Sequence, residues 1–352
     1  DYDNIARNLL DRHQFVSTRM GGLVSYRPPL YPMLLAGTYA VWGISPVPIL
    51  IIQALLGAVI CLQIYRITAR IYGPRSGLFS AAIAALYPPL IYYSTQLLAE
   101  TLFIFLLLAA VELIDNDPGS PRRWLGAGAV FGLAALCRPV IFPYLILLGP
   151  LCALRGLRFL RRWFWLFPAA LVIISGWTLR NYLIHRDFVL LTTYGGANLW
   201  LGNCPGAGGR MGRPEDIDAF LRRTDVPEPA KDRYCYRHAL DYISSHPRIF
   251  IGTSLRRLFL FWNPVVEEQH GPEYIRSRRI DYRLIIGLCF SLLVLLALLG
   301  AFSASSNRAK LWIPVSLIIY FPLISMVYYV SMRYRQPVIP FLAVFAGRGA
   351  EL

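Results

Sequence analysis

The chain has little charge, and what it has is one-sided. Charged residues make up 16% of its 352 positions, with 20 acidic against 35 basic side chains. No charge occurs from Leu30 to Tyr65, and Glu100 stands alone between Ser76 and Val111. Uncharged runs also cover Trp124–Cys137, Pro139–Leu154, Trp163–Leu179, Leu284–Asn307, Leu311–Met332 and Gln336–Gly347. Such scarcity excludes an ordinary soluble domain. No C-x-x-C and no His/Cys ligand spacing occurs, which argues against a zinc site. No internal repeat or low-complexity region is evident, and no signal peptide is visible from which to read targeting.

What is present is apolar. Hydrophobic residues reach 56%, with a mean hydropathy of +0.48. About 20 apolar residues cross the hydrocarbon slab as a helix, and in lipid every backbone amide must find its partner internally. The runs predict an all-α polytopic membrane protein with about nine crossings, over 48–66, 76–95, 97–114, 123–138, 139–155, 163–184, 284–302, 312–331 and 336–350. Basic clusters orient it. Arg66, Arg70 and Arg75; Arg122 and Arg123; Arg155, Arg158, Arg161 and Arg162; and Arg308 with Lys310 fall on one side if the helices alternate, and positive charge marks the cytoplasm. The net charge of +15 is therefore a topology signal, not a nucleic-acid surface.

Three regions follow: a transmembrane core over 1–184, an extracytoplasmic insertion over 185–283, and C-terminal transmembrane helices over 284–352. Outside the cytoplasm, Asn4–Asp11 predicts a surface helix, and proline-bracketed Leu30–Ile44 a re-entrant or interfacial one. The start at Asp1 and the apolar end lead us to expect a fragment lacking an N-terminal crossing. Within the insertion, Gly195–Gly209 reads as a glycine-rich loop, 216–223 and 230–245 as helices, and Ile249–Trp262 as an amphipathic helix with Arg256 and Arg257 near lipid headgroups. Cys204 and Cys235 lie there too; an oxidising exterior would allow a disulfide between them.

Against the charge trend, Arg27, Arg138, Arg180, Arg333 and Arg335 lie at the external ends of the runs. Guanidinium binds phosphate through two parallel hydrogen bonds and keeps its charge. Any one of them is equally a snorkelling interfacial residue; as a set they fit one anion. Glu100, at the start of an apolar run, is either a helix-start carboxylate or part of the same site. Asp1 and Asp3 are N-capping residues or a base for an acceptor hydroxyl. Tyr26, Tyr92, Tyr93, Tyr194 and Trp200 offer flat faces for a sugar, and Asn198 and Asn203 hydrogen-bonding groups.

In order, Tyr2 with Ile5-Ala6-Arg7-Asn8-Leu9-Leu10, Tyr26-Arg27-Pro28-Pro29-Leu30-Tyr31-Pro32, Ala69-Arg70-Ile71-Tyr72-Gly73, Tyr93-Ser94 with Glu100-Thr101-Leu102-Phe103, Arg138-Pro139, Arg180-Asn181-Tyr182 and Arg333-Tyr334-Arg335-Gln336-Pro337 make a pattern. It resembles the integral-membrane glycosyltransferases of GT-C type, in the dolichyl-phosphate-mannose–protein mannosyltransferase and aminoarabinose-transferase superfamily. The resemblance implies a polyprenyl-phosphate sugar donor and inverting transfer on the external face. It also implies an Asp general base in the first external loop, matched by Asp1 or lying before it, and an Arg phosphate clamp near the last helices. Some branches use a divalent cation; no ligand cluster for one is visible here, and no other cofactor is implied. A bacterial inner membrane is the implied setting. The acceptor, whether glycan, lipid or protein, is left open. A lipid-linked saccharide flippase, or a related polymerase or ligase, is the competing reading; a flippase calls for charges deep in helices or for paired broken helices, and neither is evident.

Overall fold

The computed structural model describes residues 1–116, 120–212, 214, 217–265, 282–303 and 310–352. Among them the chain is helical throughout, with no strand. The helices are α1 (Tyr2–Arg12), α2 (Leu30–Trp42), α3 (Pro46–Tyr72), α4 (Pro74–Leu86), α5 (Pro88–Ser94), α6 (Glu100–Asn116), α7 (Pro121–Cys137), α8 (Phe142–Leu154), α9 (Leu157–His185), α10 (Gly195–Asn203), α11 (Ile217–Arg222), α12 (Glu228–Ser245), α13 (Pro247–Trp262), α14 (Tyr282–Phe302), α15 (Trp312–Val327), α16 (Met332–Arg335) and α17 (Ile339–Glu351). Proline opens many of them, where its missing N–H costs nothing.

The expected crossings fall on helical chain, 76–95 on two separate helices, and nine crossings are not established. Among the described residues two helices, Pro46–Tyr72 and Arg283–Phe302, are long and apolar enough to span by themselves; Pro139–Leu154 and Trp312–Val327 are shorter apolar helices. The run expected over 76–95 breaks at Tyr87, where Pro88 and Pro89 end α4 and begin α5. Arg308, part of the fourth basic cluster, lies outside the described residues, as do 266–281 of the insertion.

Polarity is inverted relative to a soluble bundle. On α3, Ile51, Leu55 and Leu62 face outward while Gln53, Gln63 and Thr68 are buried. Gln53 accepts from the Tyr31 hydroxyl at 2.7 Å and donates to the Ser94 and Gln96 carbonyls at 2.8 Å. On α14, Leu284, Leu288, Leu292, Leu295 and Leu299 are exposed. Apolar stripes of this extent are covered by lipid or protein in solution. Helices meet through small residues, as membrane helices do. A Cβ on Gly128 of α7 would overlap the Leu166 carbonyl of α9, and one on Gly132 would stand 2.8 Å from the Ala170 carbonyl.

The basic clusters gather at one end of these helices. Arg70 and Arg75 flank the α3–α4 turn at Gly73, and Arg155 and Arg158 the α8–α9 turn at Gly156. Both glycines have positive φ, +106° and +109°. Glu112 of α6, unremarked in the sequence reading, pairs with Arg70 at 3.5 Å and Arg66 at 4.0 Å.

The insertion corrects two expectations and answers the open question of the Cys204–Cys235 pair. Gly195–Asn203 is a helix, not a loop; its glycines serve close packing, since a Cβ on Gly196 would overlap the Asp232 carbonyl. Cys204 and Cys235 are buried free thiols, without a disulfide. Arg257 does not reach for headgroups. It is fully buried, donating to the Met326 carbonyl at 2.7 Å, to the Gly202 carbonyl and to Asn203 Oδ1 at 3.0 Å, and so ties α13 to the ends of α10 and α15. Ala197, Leu201, Ile217, Leu221 and Cys235 form a small separate core.

Candidate functional site

At the end of the bundle opposite the basic clusters, a cavity of about 360 Å³ opens between chain segments far apart in sequence. Its wall takes Tyr2, Tyr26 and Arg27 from the start of the chain and Arg138 from the end of α7. Thr192, Tyr194 and Asn198 come from the stretch after α9, and Tyr236 from the insertion. Tyr328, Tyr329, Arg333 and Tyr334 follow α15.

Helix ends deliver the cations. Arg138 leaves α7 with extended backbone, φ −144° and ψ 112°, because Pro139 behind it forbids further helix. Ser331 caps α16 by accepting from the Arg333 N–H at 3.3 Å, which orients that turn. Glu100, fully buried at the first turn of α6, accepts from Arg138 Nη1 at 3.0 Å and from Arg333 Nε. One carboxylate thus holds two guanidiniums, and its other oxygen has no hydrogen-bond partner. It is not on the cavity wall; it stands behind it. Arg138 also lies over the rings of Phe103 and Tyr334, 5.7 and 5.3 Å from their centroids.

Arg27 approaches from the other side. It donates to Asp1 Oδ2 at 3.2 Å and to the Tyr26 hydroxyl at 2.8 Å, and sits over the rings of Tyr26, Tyr2 and Tyr194. Tyr26 meets Tyr194 edge-on at 4.6 Å and donates to Asp1 at 3.3 Å. Asp1 is thus adjacent to two wall residues. Asp3 is engaged elsewhere: it accepts from Tyr39 at 2.7 Å and Arg7 at 2.9 Å, which hold its carboxyl below the usual range against the opposing effect of burial.

Other candidates lie off the cavity. Arg335 is buried, donating to the Leu260 and Asn263 carbonyls at 3.3 and 2.8 Å, over the Phe290 ring. Arg180 donates to the Val24 carbonyl at 2.7 Å and Ser25 Oγ at 3.0 Å; it borders a separate groove with Leu9, Phe15, Met33 and Trp177. Tyr92 and Tyr93 pack on each other at the end of α5. Trp200 packs on His238 and Tyr242 inside the insertion. Asn203 is spent on the Leu199 and Val327 carbonyls. Sequence reasoning missed Tyr236, Tyr328, Tyr329 and Tyr334. Tyr334 had a signal, its place between two arginines, whereas Tyr236 had none. Tyr329 donates to Asn198 at 3.4 Å and accepts from Tyr334 at 2.9 Å, so the aromatic wall is hydrogen-bonded as well as stacked. Among the described residues no group of three or more His, Cys, Asp or Glu side chains is placed to hold a metal.

Asp232 of α12 supports the helix that carries Asn198. It accepts from the Gly196 N–H at 2.7 Å. Burial pushes its carboxyl up to about 6, while the N–H groups of Gly196 and Ala197 and the charge of Arg233 pull the other way. A carboxyl raised in the folded state favours folding while it is protonated, so stability falls as pH rises from about 4 through 6. The expected loss is on the order of 3 kcal/mol. Thermal melting of the detergent-solubilised protein between pH 4 and 8 measures it, and Asp232→Asn flattens the profile. A profile that Asp232→Asn leaves unchanged over that interval contradicts the assignment.

Residues 26–178 match the family model described as dolichyl-phosphate-mannose-protein mannosyltransferase. No curated protein matches the chain. The fold resembles that of the archaeal oligosaccharyltransferase AglB from Archaeoglobus fulgidus, solved with an inhibitory peptide and a dolichol-phosphate. The identity is 12%, the TM-score 0.57, and the likeness covers 99% of this chain but 45% of that one. A second structure of the Archaeoglobus fulgidus oligosaccharyltransferase, tethered to an acceptor peptide, gives 12% identity and a TM-score of 0.56, covering 99% and 44%. ArnT from Cupriavidus metallidurans, bound to undecaprenyl phosphate, is 14% identical with a TM-score of 0.47, covering 99% and 72%. This chain thus spans under half the length of the oligosaccharyltransferases whose fold it shares. The family match over residues 26–178 and the fold shared with the oligosaccharyltransferases agree with the resemblance carried by the motifs.

Proposed function

We propose that the protein moves a sugar from a polyprenyl-phosphate donor to an acceptor hydroxyl at the extracytoplasmic end of the bundle, with inversion. One observation carries this reading. Arg27, Arg138 and Arg333, from three distant parts of the sequence, line one cavity whose remaining wall is rich in tyrosine. An anion on a long apolar tail needs clustered cations at the membrane interface, and a sugar needs flat faces beside them. The external location rests on positive-inside charge, since the Arg66–Arg75, Arg122–Arg123 and Arg155–Arg162 clusters lie at the opposite helix ends.

In this reading the acceptor oxygen attacks the anomeric carbon, forming the new C–O bond. The C–O bond to phosphate breaks, and the phosphate leaves with the electron pair. The hydroxyl proton passes to a carboxylate; of the two Asp candidates, Asp1 is the one beside the cavity wall, through Tyr26 and Arg27. The guanidiniums supply positive charge to the leaving phosphate. They are placed before the reaction begins, held by Glu100 and by the tyrosine rings. The acceptor is a glycan, a lipid or a protein hydroxyl.

The test is incubation of membranes containing the protein with a polyprenyl-phosphate sugar labelled in the sugar. Transfer predicts label in a non-donor product and release of unlabelled polyprenyl phosphate. Donor that crosses the bilayer intact, with no release, assigns the cavity to a flippase and overturns the proposal.

A further inference from the structure

The insertion reaches back to the first external loop at one carboxylate. Glu228, at the start of α12 and almost fully buried, accepts from the Val24 N–H, from the Ser25 N–H at 3.1 Å and from Thr193 Oγ1 at 2.8 Å. These three donors immediately precede Tyr26-Arg27 and Tyr194. The two segments are also joined directly, since Thr193 N–H donates to the Ser25 carbonyl at 3.0 Å. A second contact docks the insertion on the same loop. Gly21, at φ +72°, lies so close to the Arg222 carbonyl that a Cβ there would stand 2.6 Å away. Ser25 is fully buried, its hydroxyl within 3.0 Å of Arg180, Asn181 and His185.

We propose that Glu228 is a positioning residue of the anion site: from the insertion, it fixes the two backbone segments that aim Arg27, Tyr26 and Tyr194 into the cavity. It touches no cavity space itself. A carboxylate suits the place because it offers only acceptors to three converging donors, and such charge-assisted bonds are about twice as strong as neutral ones. Glutamine must turn either its oxygen or its NH₂ toward them, so at least one donor loses its partner. The insertion is thereby part of the site's construction and not a separate appendage. This inference rests on the reading of Arg27 as a ligand for a lipid-linked phosphate.

The experiment measures binding of decaprenyl phosphate to the purified full chain in nanodiscs, for wild type, Arg27→Ala, Glu228→Gln and the double variant, with melting curves alongside. Glu228→Gln is expected to weaken binding about tenfold. On an Arg27→Ala background it adds little, because its effect passes through Arg27. Thr193→Val, which removes one donor while keeping the shape, shifts affinity in the same direction by less, and stands in if Glu228→Gln fails to fold. Wild-type affinity in Glu228→Gln, or in Thr193→Val where the former does not fold, overturns the inference. So do losses that multiply in the double variant, which mark an independent structural role. Wild-type affinity in Arg27→Ala is a different failure: it removes the anion-site reading itself, and the role of Glu228 with it.

Discussion

Arg333→Ala lowers sugar transfer by about 10²–10³-fold while the protein remains folded in the membrane. The magnitude is that of removing one preorganised donor from developing negative charge. Arg333 is the wall cation whose Nε is held by Glu100, which leaves the rest of its guanidinium fork to face the cavity. Folding survives because Glu100 keeps Arg138 at 3.0 Å, so no buried carboxylate is stranded. Arg333→Lys recovers part of the rate, since the charge returns but the planar fork does not. Single-turnover transfer with saturating donor, set beside the melting temperature, checks this. A rate within threefold of wild type removes Arg333 from the reaction.

Glu100→Gln has the opposite signature. It leaves the nearly buried Arg138 and the part-exposed Arg333 facing one another without their shared counter-charge; breaking a fully buried pair costs roughly 3–5 kcal/mol, and the solvent that reaches Arg333 lowers that cost here. The variant is therefore expected to melt well below wild type and to lose transfer as well. Glu100→Gln combined with Arg333→Met removes one of the two stranded cations and restores much of the stability, but not the transfer. Melting and transfer then part company, which a purely catalytic carboxylate would not cause. If Glu100→Gln melts like wild type and has lost only turnover, Glu100 acts on substrate, and the account of it as the arginines' anchor is wrong.

The sequence displayed which arginines opposed the charge trend, because the sign of a loop is visible without coordinates. It did not display what each guanidinium meets. Arg333 and Arg335 stand two residues apart in one short helical stretch, about 200° around the axis, so they face opposite ways. One takes the cavity and the other the backbone carbonyls of Leu260 and Asn263. Arg180 and Arg257 were illegible for the same reason. Their partners are carbonyls, of a loop for Arg180 and of a helix end for Arg257, brought close only by tertiary packing. The helices were legible as charge-free runs, but their ends were not where proline pairs intervene, as at Pro88-Pro89. The Gly195–Gly202 glycines read as loop because composition does not separate a glycine that turns the chain from one that admits a neighbour. Gly196 and Gly202 admit the carbonyls of Asp232 and Tyr328. Glu228 lay in a hydrophilic stretch among other charges, and its binding of a segment some 200 residues earlier has no local sign.

The most direct test of the central claim is a structure of the protein in nanodiscs with polyprenyl phosphate bound. The account predicts the phosphate in the cavity, within hydrogen-bond reach of Arg27, Arg138 and Arg333. Phosphate density beside Arg180 in the groove along α1 and α9, with that cavity empty, would contradict it.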